Sequence, residues 1–88
     1  MDVAARVEKA LEKMGLPDWV ETTHIGPMLD HTGDPAVRVI VVVRPDREAI
    51  VRDGEALTAL VRKIHAAAEK AGVDVLVYTR LTVSGQAA

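Results

Sequence analysis

The sequence predicts a small α+β domain: a two-layer sandwich of order α-β-β-α-β, in which two helices back a three-stranded mixed sheet. Three observations carry this. The run Ala36 to Arg44, Ala-Val-Arg-Val-Ile-Val-Val-Val-Arg, is β-branched almost throughout and is stopped by Pro45-Asp46, so it reads as a buried strand. Leu57, Leu60, Val61, Ile64, Ala68 and Ala71 recur at helical spacing and form one apolar stripe. Val73 to Val83 then returns to the period-two alternation of a strand.

The remaining elements follow in chain order. Val3, Val7, Ala10, Leu11 and Met14 sit at helical spacing with charges between them, and Gly15 followed by Leu16-Pro17 ends that helix. Trp19 to about Met28 suits an extended backbone through Val20, Thr22, Thr23 and Ile25, while Gly26-Pro27 marks it as an edge strand. Leu29 to Pro35 is dense in turn formers and predicts a hairpin into the buried strand. Pro45-Asp46 opens a short helical segment with Asp46 as its N-cap and Glu48 and Arg52 as an i,i+4 ion pair. Asp53-Gly54 interrupts that segment, and the long helix begins at Glu55 and closes at Gly72. One domain is expected over residues 1–83, with 84–88 as a flexible tail. The crossover through the long helix makes the last strand parallel to the second.

Eighty-eight residues suffice for one core with little stability to spare. The chain has no cysteine, hence no disulfide, thiolate nucleophile or cysteine-based zinc site. Asp2, Arg6, Glu8 and Lys9 break any signal-peptide hydrophobic region, and a soluble cytoplasmic protein with no membrane contact is the expectation. Eleven basic and thirteen acidic side chains give a net charge of -2, which argues against nucleic acid as a partner. Trp19 and Tyr78 are the sole aromatic residues, too few for a base-stacking platform.

Alternation sorts the strand residues by face. Val37, Val39, Val41 and Val43, with Val73, Val75, Val77, Thr79 and Leu81, point to the helices. The open face then receives Arg38, Ile40, Val42, Arg44, Asp74, Leu76, Tyr78 and Arg80. Ile40, Val42, Leu76 and Tyr78 form an apolar centre within an arginine rim, the composition of a contact surface. Arg38, Ile40, Val42, Arg44, Leu76, Tyr78 and Arg80 are therefore the candidate partner-binding residues, for a second copy of the chain or another protein.

Chemistry-bearing groups are sparse. His24, Asp30, His31 and Asp34 fall within eleven residues, and such a set around a hairpin could hold a divalent metal. The same residues are also ordinary turn formers. The single serine is Ser84, in the expected tail, and neither a Walker-type loop nor a Gly-x-Gly-x-x-Gly occurs. No catalytic residue and no cofactor is assigned.

The element order resembles KH-type RNA-binding domains of the second type, ring-building domains of secretion systems and the cytoplasmic tails of cation-efflux transporters. A KH domain implies a Gly-x-x-Gly loop with basic flanks; none occurs here, and Asp53-Gly54 has acidic surroundings. An efflux-transporter tail implies a metal-sensing dimer. The sequence thus points first to a non-catalytic interaction module, second to a metal-responsive regulator using the hairpin, and third to a small-ligand enzyme.

Overall fold

The computed structural model describes residues 2–52 and 54–84. Helix α1 (Val3–Met14) leads into strands β1 (Val20–Leu29) and β2 (Pro35–Val43). A 3-10 turn (Pro45–Arg47) and a short helix α2 (Glu48–Arg52) precede the long helix α3 (Glu55–Lys70) and strand β3 (Leu76–Val83). The strand order is β1-β2-β3, with β1 antiparallel and β3 parallel to the central β2. This is the α-β-β-α-β architecture expected, and its extents of 35 × 27 × 20 Å fit one helix layer on one sheet.

Local chemistry sets the element ends. Asp2 caps α1 by accepting a 2.7 Å hydrogen bond from the Ala5 N–H, satisfying one of the helix's free donors. Gly72 has a φ of 82°, its N–H donates to Glu69 O at 3.0 Å, and Val73 N–H donates to Ala68 O at 3.0 Å. That paired closure requires a left-handed residue, which glycine supplies without steric cost. The β1–β2 hairpin turns through Asp30 to Asp34, where Gly33 (φ 87°) donates to Asp30 O at 3.0 Å.

Three local expectations are corrected. Asp46 does not cap the segment after β2: Arg44 occupies the N-cap position, and Asp46 lies inside the 3-10 turn that Pro45 begins. Val73 to Val75 precede β3 rather than belonging to it, although Val73 and Val75 pack on the core. Ser84, expected in the tail, donates its N–H to Val43 O at 2.9 Å and so continues the β2–β3 ladder. The remaining tail positions, 85–88, lie outside the described residues, as does Asp53. The Glu48–Arg52 pair is present at 3.9 Å between exposed groups.

The core forms where α1 and α3 meet the sheet. Val7 and Leu11 from α1 and Leu60, Ile64 and Ala68 from α3 pack on Val37, Val39, Val41 and Val43, closed at one end by Trp19 and Val20. Each fully buried aliphatic side chain contributes roughly 1.5–3 kcal/mol. No helix among the described residues is long and apolar enough to cross a membrane.

Candidate functional site

The ladder registers place the open-face residues in four rows across the sheet. Met28, Ala36 and Leu76 form the row nearest the hairpin, followed by Gly26, Arg38 and Tyr78. His24, Ile40 and Arg80 form the third, and Thr22, Val42 and Thr82 the fourth. Leu76 is 59 % exposed and Tyr78 38 %, with Ile40 half-buried between His24 and Arg80. Arg38 and Arg80 are exposed, and Gly26 leaves the β1 side of Arg38 without a neighbouring side chain.

No carboxylate among the described strand residues falls in the three rows nearest the hairpin. Glu21, exposed at the β1 irregularity between Val20 and Thr22, adjoins the fourth row, while Asp30 and Asp34 belong to the hairpin and Asp74 precedes β3. The two middle rows are therefore cationic, and the acids sit toward the ends of the sheet. Such an arrangement favours an acidic surface and disfavours a basic one.

Of the predicted contact residues, Arg38, Ile40, Leu76, Tyr78 and Arg80 stand together. Two differ from the rest. Val42 is only 8 % exposed, set in the middle strand between Thr22 and Thr82, so little of it remains for a partner. Arg44 lies just beyond β2, where its Nε donates to Asp18 O at 2.8 Å and its N–H to Trp19 O at 3.0 Å. It ties the α1–β1 connection to the sheet end and borders the face instead of lying on it.

The hairpin residues divide differently. Asp30 Oδ1 accepts from Thr32 Oγ1 at 2.6 Å, from Thr32 N–H at 2.9 Å and from Asp34 N–H at 3.0 Å. The Thr32 hydroxyl, followed by the Asp34 N–H, holds the Asp30 carboxyl below the usual carboxylate range, because these bonds favour its charged form. His31 and Asp34 share the loop, but His24 is six residues back along the strand, roughly 20 Å in extended chain. Among the described residues no three His or carboxylate groups gather into a set that could hold a metal ion.

A second cationic surface lies on the opposite layer. Arg6, Lys9, Lys13 and Lys70 line a cleft of about 630 Å³ between α1 and α3, over an apolar floor that includes Met14 and Ala67. Its signal in the sequence is the i, i+3, i+7 spacing of Arg6, Lys9 and Lys13, although the fourth member comes from a helix distant in sequence. No family model, curated protein or solved structure matches this chain.

Proposed function

We propose that this chain is a non-catalytic interaction module whose open sheet face docks a partner protein through an acidic surface. The observation that carries this reading is the pairing of exposed Leu76 and Tyr78 and half-buried Ile40 with Arg38, Arg80 and His24 in rows that hold no carboxylate among the described strand residues. Covering the apolar side chains supplies affinity, on the order of 1.5–3 kcal/mol for each one fully buried, before the cost of association. The arginines supply orientation and discrimination, since a basic partner would meet like charge.

Selection from a random peptide-display library tests the chemistry without knowledge of the natural partner. Bound sequences are expected to be rich in Asp and Glu beside aliphatic or aromatic residues. Arg38→Glu/Arg80→Glu should lose them, and Tyr78→Ala should weaken them, with the far-UV circular dichroism of each variant unchanged. Selected sequences without acidic bias, or with equal affinity for the charge-reversed protein, would rule the reading out.

A further inference from the structure

The cleft at the outer seam of the two long helices is rimmed by charge of one sign. Arg6, Lys9 and Lys13 stand on the α1 bank and Lys70 on the α3 bank, and all four are exposed. Arg6 and Lys9 are i,i+3 neighbours and Lys9 and Lys13 i,i+4 neighbours, a like-charge spacing that works against a helix. Acids are present on the same helices, yet a turn of about 100° per residue carries Glu8 and Glu12 to the opposite flank of α1 and Glu69 to that of α3. None of the four cations is in an ion pair among the described residues.

Between these banks lies room that the fold leaves empty. Ala10, Met14, Ala67 and Ala71 floor a space of about 630 Å³, while the buried core takes Val7, Leu11, Ile64 and Ala68 from the same two helices. Alanines at a helix contact ordinarily bring two backbones together; here they face a gap that longer side chains would fill. We propose that this cleft binds a small amphipathic anion, an aliphatic phosphate monoester whose apolar body lies on the alanine and methionine floor and whose phosphate group sits between the two banks. The volume lies within the roughly 300–1,000 Å³ of small-ligand pockets. Its floor is recessed, where a flat membrane surface does not reach. No aromatic residue lines it, so an aliphatic body suits it better than a nucleobase. A single carboxylate would leave most of the rim charge unopposed, whereas a phosphate monoester carries about −1.5 to −2 near neutral pH and offers three acceptor oxygens. Lysine ammonium groups meet such an anion as point charges on flexible stems. The cleft lies on the layer opposite the open sheet face and does not rest on the acidic-partner reading.

Octyl phosphate, titrated into the full chain below its micelle concentration, is the probe, followed by calorimetry and by amide chemical shifts. Saturable binding is expected, with the shift changes gathered on α1 and α3, and at least tenfold tighter than inorganic phosphate or octanol. Octyltrimethylammonium should not bind. Lys9→Glu/Lys13→Glu should weaken octyl phosphate at least tenfold. Ala67→Leu, which fills the cleft and leaves the charges in place, should do the same with a melting temperature unchanged or raised. Absence of binding overturns the proposal, as does equal affinity for inorganic phosphate or for octanol, or a set of shift changes centred on Arg38 and Arg80. Binding that Ala67→Leu leaves intact, together with capture of the protein on phosphatidylglycerol vesicles, would make the four cations a membrane-facing patch and overturn the cleft as a ligand site.

Discussion

The central strand carries two surfaces made from nearly the same residue types. Val37, Val39, Val41 and Val43 are sealed beneath α1 and α3, with Val39 at 0 % exposure. Facing the other way, Ile40 is half-buried and Arg38 exposed, and only the end positions Ala36 and Val42 are closed off. The branched side chains alone do not distinguish core from contact surface; the covering layer does. Two helices turn one face into the source of stability, and their absence leaves the other as a place where changes should alter recognition and spare the fold.

The sharpest way to break that contrast is a charge on the covered face. Val39→Asp places a carboxylate among Val7, Leu60 and Ile64, with no cation in the buried cluster to pair it. The expected cost is about 5 kcal/mol or more, comparable with the whole stability of many small domains, and circular dichroism should show an unfolded chain. Next in size, Leu60→Ala leaves a cavity at a side chain 2 % exposed, and urea unfolding should record a loss of about 2–5 kcal/mol. A small loss in either case would mean that the helices do not press on β2.

Much of this contrast was legible in the sequence, because alternation within residues 36–44 is a local property and assigns each side chain to a face before any neighbour is known. The stripe of α3, the hairpin and the edge position of β1 were legible for the same reason. What escaped depends on neighbours across the fold. Val42 reads as an exposed apolar residue until Thr22 and Thr82 are placed beside it. Arg44 reads as part of a rim until the α1–β1 connection presents the Asp18 carbonyl. The basic cleft needs α1 and α3 side by side, and the four hairpin candidates, close in sequence, are separated by an extended strand that carries His24 away from the loop. Thr79 reads as one more strand former, and its lack of a partner emerges only from packing.

That hydroxyl allows a finer test of the covered face. Thr79→Val keeps the shape and removes an unsatisfied buried group, so the protein should gain about 1 kcal/mol or more. For a chain of this size that raises the melting temperature by about 4–8 °C per kcal/mol. An unchanged or lowered midpoint would mean that the hydroxyl is satisfied in the folded chain. On the open face, Arg38→Glu and Arg80→Glu should each move stability by no more than about 0.5 kcal/mol, since both side chains are exposed and neither is in an ion pair among the described residues. Unfolding of either variant would show that the arginine stems carry packing that exposure alone does not reveal.

The smallest effect lies at the hairpin, where acids sit just beyond the cationic face. Asp30 is at the surface, yet its carboxylate accepts the Thr32 hydroxyl and two backbone N–H groups, and those bonds exist only in the folded turn. Its folded pKa is therefore depressed below the unfolded one. The unfolded chain binds the proton more readily, so this group's stabilisation is fully present above the unfolded carboxylate value and fades as pH falls through the folded one. Asp30→Asn keeps an oxygen that can accept the same bonds and removes the charge. Comparing the two proteins by thermal melting from neutral to acid pH should give a stability difference in favour of the wild type that shrinks as the medium is acidified. A difference that stays constant with pH would show that the turn bonds do not depend on ionisation, and that the loop is held by its backbone hydrogen bonds and Gly33 alone.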